Sequence, residues 1–354
     1  MNIALLHILQ ASPDSYHWPE AVARALRIPL TRVLDDFEEL AGFGFEIEQA
    51  PHRGIRLLAP ARRLCPDQIE WNLGTRTVGR RIAVWERVTS TNDLAARAAK
   101  SASNDGLVVL AEEQTAGRGR RHRRWHAPAQ SSILMSVLLF PPESARDVAL
   151  LTCLAAVAVA DVVIELLALP ARIKWPNDVR VLGQKVCGIL VEDLARRRRG
   201  RPRVNEVNTH ANPGELSGGQ SQPSLRLRAT VLGIGVNVNM EPHEFPPGLA
   251  SPATSLMIQC GRRLDCSELA RSLIRRLDHY YQLALSGDTT AIWTRWRELV
   301  DLVGRTVRIE RSRDTLFGRL VDLWPPRGVS VEISTGELVQ LSAKDVLSIS
   351  DAPP

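Results

Sequence analysis

The spacing of apolar and polar residues divides the chain into three parts, of which residues 1–66 are short and largely helical. Helical spacing, together with a proline that suits a first helical turn, predicts helices at 3–9, 19–26 and 31–41. Two β-like runs follow, at 43–48 and 54–58. Three helices followed by a hairpin are the layout of a winged helix-turn-helix domain.

Residues 67–298 alternate between buried strands and long helices. Continuous apolar runs predict strands at 107–111, 133–140, 186–191 and 231–238. Helical stretches lie at 94–100, 148–167 and 267–285. Strands interrupted by helices, with some strands close together in sequence, indicate an α+β domain with helices packed on a sheet. The stretch at about 195–228 has the composition of a disordered insert, and its place between two strand runs predicts an extended hairpin connection.

Residues 299–354 have a different pattern, with short strand runs separated by turn signals. The runs lie at 307–310, 316–323, 329–333 and 338–341. Such a series predicts a small SH3-like β-barrel.

The charge of the chain is concentrated in one segment. Eight arginines and two glutamates between Ala195 and Arg228 equal the whole net charge of +6, so the remaining residues are neutral together. The predicted helix at 31–41 carries one arginine against four acids. Because a helix that enters a DNA groove must face phosphates, this balance counts against DNA binding by the N-terminal part.

The cysteines and the apolar stretches indicate a cytoplasmic protein. Five cysteines, without a CxxC pair, argue against a disulfide framework or a zinc site. Residues 1–10 lack the features of a signal peptide. Asp161 and Glu165 lie on one face of the apolar stretch 148–169, so we expect a core helix and no membrane span.

Residues 117–125 read G-R-G-R-R-H-R-R-W and are the strongest chemical signal in the chain. Arginines this close repel one another, and glycines give the backbone no stiffness, so we expect an anionic ligand to order the segment. A solvated basic loop or a nucleic-acid patch is the alternative interpretation.

Three further segments complement this loop. Thr89 to Asp93 precedes a helix, and Ser90 with Asp93 matches a capping box, which leaves either a plain cap or a polar ligand site at a helix start. Lys174 to Asp178 reads K-W-P-N-D, which suits a Mg²⁺–nucleotide phosphate site, or else an ordinary turn. Lys185 enters a buried strand, where its ammonium can stabilise developing charge unless it lies at the edge in water.

The motifs G-R-G-R-R-H-R-R-W, S-T-N, K-W-P-N-D, K-V-C-G-I-L-V-E and G-I-G-V-N-V-N, in this order and spacing, resemble those of biotin protein ligases. The flanking parts resemble those of the bifunctional type, which also represses biotin genes. The resemblance implies a catalytic domain like that of class II aminoacyl-tRNA synthetases, with ATP and biotin as substrates and Mg²⁺ as cofactor. It implies adenylation of biotin, then transfer to a lysine of the biotin carboxyl carrier protein of acetyl-CoA carboxylase, and it leaves a homodimer and a DNA operator open.

The same resemblance assigns roles to single residues. Contacts to biotin are implied for Ser90, Thr91, Asn92, Gln114, Arg118, Gly119, Arg120 and Lys185. Contacts to the nucleotide are implied for Trp125, Lys174, Asn177, Asp178 and Asn237. Lys185 and Arg120 would be catalytic, Asp178 would hold Mg²⁺, and the arginine loop would close as a flexible lid that keeps water from the adenylate.

One departure from the family pattern and two rival functions remain. The family loop usually has glycine where this chain has His122, so we expect a stiffer loop and altered adenylate retention, which His122→Gly tests. A lipoate ligase shares the adenylation logic, and pyrophosphate exchange with biotin against lipoate separates the two. A transcription factor without ligase activity is the other rival, and a mobility-shift assay with biotinyl-AMP tests it.

Overall fold

A computed structural model gives the fold and describes residues 1–12, 15–197, 228–249 and 251–352. The N-terminal part has the predicted helices and hairpin: α1 Ile3–Ala11, α2 Pro19–Leu26, α3 Leu30–Phe43, β1 Glu46–Ala50 and β2 Gly54–Ala59. The first strand begins later than predicted because α3 continues to Phe43 and ends at Gly44, whose φ of 113° suits glycine. Side chains from all three helices form a separate small core under the hairpin.

The central part is built on a seven-stranded sheet in the order β3-β4-β5-β9-β8-β7-β6. Its strands are β3 Arg81–Val88, β4 Leu107–Gln114, β5 Ser132–Leu139, β6 Ala171–Lys174, β7 Asp178–Val181, β8 Gln184–Asp193 and β9 Thr230–Asn237. Only β3 and β4 pair in parallel within this sheet. The helices are α4 Pro66–Glu70, α5 Thr91–Ala98, α6 Val148–Leu167, α7 Leu194–Arg197, α8 Leu256–Cys260, α9 Cys266–Ser286 and α10 Thr289–Leu299.

The two faces of this sheet are covered differently. Helices α6, α9 and α10 share one large apolar core with alternate residues of the strands. On the other face α5 covers part of β4, β5 and β9 around Ala95, Val109 and Leu138. The rest of that second face, over β8 and β7, is left to loops and polar side chains.

Helix α6 has the length and apolarity of a membrane span, the only such helix in the described residues, and most of it is buried in the protein. Asp161, in its middle, accepts hydrogen bonds from the Tyr280 hydroxyl at 2.5 Å and from Arg295 at 2.9 Å. The buried carboxylate therefore fastens α6 to α9 and α10, as expected for a core helix.

The connection between β8 and β9 is a hairpin, as predicted, because Asp193 and Thr230 pair in antiparallel register. The predicted disordered insert at 195–228 lies almost entirely in residues 198–227, outside the described residues.

The C-terminal part is a five-stranded antiparallel sheet in the order β13-β12-β11-β10-β14. The strands are β10 Thr306–Arg311, β11 Thr315–Trp324, β12 Gly328–Glu332, β13 Leu338–Leu341 and β14 Val346–Asp351. The first four were predicted and β14 was not. The apolar residues of this five-stranded sheet join the core of the central part. Arg297 of α10 pairs with Asp322 of β11 at 2.9 Å.

Polar contacts attach the N-terminal part to the central part. Gln10 of α1 donates to the carboxylate of Asp265 at 2.7 Å, and Arg263 pairs with Glu46 of β1 at 2.9 Å. In the connecting segment, the Leu64 N–H donates to the buried carboxylate of Glu112 on β4 at 3.1 Å.

Candidate active site

Strand β9 shows how the sequence separates core from site. Leu232, Ile234 and Val236 belong to the large core. Since successive side chains of a strand point to opposite faces, Gly233, Gly235 and Asn237 lie on the other face. The same parity places Ser136 of β5 and Gly188 and Glu192 of β8 on that face. The small and polar residues of these strands therefore collect on one surface, which the motifs then surround.

The first motif lies at the start of α5 and differs from the predicted capping box. Ser90 is at the N-cap position, but its side chain makes no capping hydrogen bond. Instead Gln114 of β4 accepts from the Thr91 N–H at 2.8 Å, and the Asp93 carboxylate is taken by an arginine. The capping-box prediction was wrong, because Ser90 makes no capping hydrogen bond and the Asp93 carboxylate pairs with Arg118.

A polar network continues from this helix start onto the sheet. The Ser136 hydroxyl lies 2.5 Å from the Asn92 side-chain oxygen and 2.7 Å from the Thr91 hydroxyl. Asn92 donates its amide to Glu192 at 2.7 Å. Ser90, Thr91 and Asn92 are all buried. Buried hydrogen-bonding groups held this firmly are preorganised donors and acceptors for a small polar ligand.

Arg118 is held by two carboxylates of the protein. Its guanidinium makes a two-pronged pair with Asp93, at 2.7 and 2.9 Å, and reaches Glu192 at 3.4 Å. The hydrogen bond that Arg118 donates to Asp93 is the main cause that raises the pKa of Arg118. Acidic side chains of the chain therefore pair with Arg118; that an anionic ligand orders the rest of the loop stays a prediction.

The backbone of the arginine loop is a compact hydrogen-bonded turn. The Gly119 N–H donates to the Arg123 carbonyl at 2.7 Å, and the Trp125 N–H to the Gly117 carbonyl at 3.0 Å. Residues 120–122 form a tight turn in which Arg121 is left-handed, with φ 55°. These hydrogen bonds give the loop its own local structure; the lid motion expected of it stays a prediction.

Trp125, at the end of the loop, packs closely against two glycines of the sheet. A Cβ added at Gly235 would come within 2.5 Å of the indole, and one at Gly188 within 2.9 Å. The Lys185 ammonium is 5.5 Å from the centre of the indole ring, within cation–π range. The indole N–H is buried and finds no hydrogen-bond partner within the described part of the chain. An aromatic plane, a cation and an unused donor thus meet over the glycines.

Lys185 also belongs to a charged group at the β6–β7 turn. Its ammonium lies 2.7 Å from the Asp178 carboxylate. Arg120 donates to the side-chain oxygen of Asn177 at 3.1 Å. Lys174 pairs in register with Asp178 across the hairpin, and burial followed by nearby Arg180 lowers the pKa of Lys174. The structure brings these predicted phosphate residues together beside Trp125.

Asn237 completes the set at the end of β9. It is buried and donates to the Thr254 carbonyl at 3.1 Å. No group of three or more His, Cys, Asp or Glu side chains that could hold a metal occurs in residues 1–12, 15–197, 228–249 and 251–352.

Comparison with known proteins agrees with this geometry. The sequence model of the Biotin/lipoate A/B protein ligase family matches residues 84–201, which include the arginine loop and Lys185. The biotin–[acetyl-CoA-carboxylase] ligase of Mycobacterium tuberculosis (strain ATCC 25618 / H37Rv) is 34% identical over 301 residues, covering 81% of this chain and 98% of that protein. The chain belongs to the biotin protein ligase family. The bifunctional ligase/repressor BirA of Bacillus subtilis (strain 168) is 28% identical over 319 residues, 90% of each chain.

The biotin protein ligase fold is also found by structure. A biotin protein ligase from Aquifex aeolicus, solved in complex with biotin and ATP, superposes with a TM-score of 0.60 at 21% identity. The match covers 77% of this chain and 100% of that one. The mixed α+β architecture of the family is therefore present here.

Sequence reasoning missed several residues of this biotin protein ligase site. Gly188, Gly233 and Gly235 form its floor, and Glu192 holds both Arg118 and Asn92. Glycine at every second position of a strand signals close approach by another group, and this signal was present in G-I-G-V-N. Nothing in the sequence around Glu192 indicates that it contacts Arg118 and Asn92, which lie 74 and 100 positions away along the chain.

Proposed function

We propose that the chain is a biotin protein ligase that activates biotin with ATP and transfers it to a lysine of a biotin carboxyl carrier protein. The observation that carries this proposal is the Lys185 ammonium, held between the Asp178 carboxylate and the face of Trp125. A cation beside an aromatic plane and above glycine backbone suits an adenylate whose phosphate and flat base need these partners.

In the first step a biotin carboxylate oxygen forms a bond to the α-phosphorus of ATP. The bond from this phosphorus to the bridging oxygen breaks, and pyrophosphate leaves with the electron pair. Lys185 and Arg120 would stabilise the charge on the transferred phosphate, while Ser90, Thr91, Asn92 and Gln114 orient biotin. Fixed cations aimed at developing charge are an effective source of rate enhancement.

In the second step the lysine amine of the carrier attacks the acyl carbon of biotinyl-AMP. The bond to the AMP oxygen breaks, and the amine loses a proton. Arg118, Gly119 and Trp125 would cover the mixed anhydride, which excludes water and prevents its hydrolysis. Asn237 would approach the adenine.

Mg²⁺ fits this site as a shared ion. It binds proteins through one or two carboxylates together with waters and substrate phosphates, and Asp178 supplies one carboxylate at the turn. The ion would neutralise phosphate charge, and Lys174 and Asn177 would hold the phosphates beside it.

The test is ATP–pyrophosphate exchange with biotin or with lipoate as the acid. We expect exchange that depends on biotin and is absent with lipoate. Exchange with lipoate alone would identify a lipoate ligase, and no exchange with either acid would contradict adenylation altogether.

We also propose finer domain identities for the parts 1–66, 67–298 and 299–354. The first has the element order of a winged helix-turn-helix, the second that of a class II synthetase-like domain, and the third that of an SH3-like barrel. A second function, repression through the N-terminal part, is favoured by the 90% coverage of the Bacillus subtilis bifunctional ligase/repressor. The exposed residues of α3 include Asp35, Glu38 and Glu39, which oppose DNA phosphates.

A mobility-shift assay on the chain's own biotin operon region, with biotinyl-AMP present at low salt, decides between the two functions. A specific shift supports a repressor and an operator partner, and its absence leaves the ligase alone. Sedimentation with and without biotinyl-AMP would test the expected homodimer. The free cysteines, four of them buried, accord with a cytoplasmic setting.

A further inference from the structure

The strands β6, β7 and β8 carry a row of cations on the site face. Antiparallel register places Arg172 opposite Arg180, Lys174 opposite Asp178, and Arg180 opposite Lys185. The alternate residues point into the large core: Ala171, Ile173, Val179 and Val181. By strand parity the charged residues therefore share the face that holds Trp125 and Gly188.

The row has more positive charge than its carboxylate can balance. Asp178 is paired with Lys185 at 2.7 Å, and Lys174 has Arg180 and Lys185 near it as like charges, with Asp178 and Asp351 as the opposite ones. The proximity of Arg180 also lowers the pKa of Lys174, after burial itself. A polyanion beside these two side chains would remove this repulsion.

Arg180 is poorly satisfied in the ligand-free protein. One terminal nitrogen donates to the Gly183 carbonyl in the β7–β8 turn at 3.1 Å. The Nε–H is buried and has no acceptor among the residues that the structure describes. An arginine that is half-buried with an unused donor is suited to an oxyanion, since its planar fork matches phosphate oxygens.

The position of Arg180 indicates which part of ATP it meets. Trp125 and Lys185 mark the adenylate end of the site. Arg180 lies two residues beyond Asp178 along β7, about 7 Å farther along the strand. Arg180 therefore follows Asp178 on the same face of the hairpin and stands opposite Lys185 in the register, beside the residues proposed to hold the reacting phosphate.

We propose that Arg180, with Lys174, binds the pyrophosphate that leaves when biotinyl-AMP forms. This inference rests on the proposed ligase function. In the forward step Arg180 stabilises the pyrophosphate as the bond from α-phosphorus to the bridging oxygen breaks. In the reverse step it holds pyrophosphate for attack on the adenylate. Arg180 has no part in the transfer of biotin to an amine, because pyrophosphate has left by then.

The experiment compares the two half-reactions in Arg180→Gln and in the full-length unsubstituted protein. ATP–pyrophosphate exchange gives the KM for pyrophosphate. Transfer from synthetic biotinyl-AMP to hydroxylamine reports the second half-reaction without a carrier. We expect the Arg180→Gln variant to raise the pyrophosphate KM about tenfold or more, as for a lost charge-assisted hydrogen bond. Transfer to hydroxylamine should stay within about twofold of the unsubstituted rate by the same reasoning.

Two matched variants separate a specific contact from general electrostatics and from misfolding. Arg172→Gln removes the same charge from an exposed position one strand away, and we expect it to raise the pyrophosphate KM by less than about threefold. Arg180→Lys keeps the charge and should restore part of the affinity. Thermal melting of each variant checks that the fold is kept.

The outcomes are distinguishable. An unsubstituted protein without biotin-dependent exchange overturns the ligase proposal, and this inference with it. Normal exchange together with an unchanged pyrophosphate KM in Arg180→Gln overturns only the assignment of Arg180. Equal effects of the Arg172 and Arg180 variants, or a loss confined to the transfer half-reaction, would also overturn it.

Discussion

Gly235 determines how closely Trp125 can approach the sheet. Its Cα faces the indole so tightly that a methyl group would come within 2.5 Å. We predict that Gly235→Ala displaces Trp125 and lowers the rate of biotin-dependent ATP–pyrophosphate exchange by about tenfold, the equivalent of the 1–3 kcal/mol typical of overpacking.

Gly42→Ala is the matched control, since no atom lies within 4 Å of a Cβ at Gly42 and its backbone is not left-handed. It should leave exchange unchanged. The difference in tryptophan fluorescence between the unsubstituted protein and Trp125→Phe gives the signal of Trp125. A change in this signal in Gly235→Ala identifies the displaced indole. Normal ATP–pyrophosphate exchange in Gly235→Ala would contradict the close packing of Trp125 against Gly235.

Lys174 gives the site a pH dependence. Burial and Arg180 lower its pKa, so on raising the pH it loses its proton earlier than a solvated lysine, whose pKa is about 10.4. Bound phosphate favours the protonated form and raises the pKa again, so binding takes up protons in this range. We predict that kcat/KM for ATP falls as the pH rises, and that the midpoint of this fall lies at a lower pH than the pKa of an ordinary lysine.

The Lys174→Arg variant checks this assignment, because arginine stays protonated throughout. Its alkaline limb should move to higher pH while its activity near neutrality is largely kept. An unchanged pH profile in this variant would assign the limb to another group.

At the scale of elements, Glu112 of β4 links the domain connection to the arginine loop. One carboxylate oxygen accepts from the Leu64 N–H at 3.1 Å, and the other from the Gln130 side chain at 3.1 Å, just beyond the loop. Glu112 is buried, so its removal leaves donors without partners. We predict that Glu112→Ala lowers the free energy of unfolding by about 1–3 kcal/mol and raises the biotin KM.

Glu113→Ala is the neighbouring control. Glu113 pairs on the surface with Arg87 at 2.8 Å, and an exposed ion pair contributes at most about 1 kcal/mol. Chemical denaturation and biotin titration of both variants measure the difference. Equal losses in the two would show that Glu112 does not connect these segments.

The elements that the sequence predicted are those whose burial leaves a periodic pattern. Strands β8 and β9 and helix α6 are nearly continuous apolar runs, and their bounds were predicted within a few residues. Strands β6 and β7 have four residues each, too few for a period, and β3 at the sheet edge carries exposed Trp85, Glu86 and Arg87. Such edge and hairpin strands form because neighbouring strands pair with them, which no local pattern records.

The candidate site likewise contains residues that a local motif predicted and residues that no local pattern indicated. The motif residues predicted by resemblance do meet on one face of the sheet. Their partners Asp93, Glu192 and Ser136 were not predicted as partners, since hydrogen bonds between distant segments depend on register and topology. Asp93 shows the limit well, because its sequence context predicted a helix cap and the fold gives it to Arg118.

For the whole molecule, the docking of the N-terminal part rests on a few polar contacts. Asp265 begins α9, and burial is the main cause that raises its pKa, although Gln68 and Gln10 both donate to it. We predict that the double variant Gln10→Ala/Arg263→Gln loosens the N-terminal part without unfolding the core, because it removes one contact at each end.

Limited proteolysis near residues 60–66 and hydrogen exchange in α1 measure this loosening. Both should increase severalfold while biotin-dependent exchange persists. The surface variant Arg97→Gln, exposed on α5, is the control. Unaltered protection of α1 would mean that the apolar contacts alone hold the N-terminal part.

The alternation along β9 has a consequence for how the gene tolerates length changes. Inserting one codon ahead of Gly233 would exchange the two faces, so that Ile234 and Val236 enter the ligand surface while Gly235 and Asn237 enter the core. A single codon insertion would thus damage stability and catalysis together, whereas a two-codon insertion restores the parity. In a library of small insertions, we expect survivors in this strand to carry even numbers of codons.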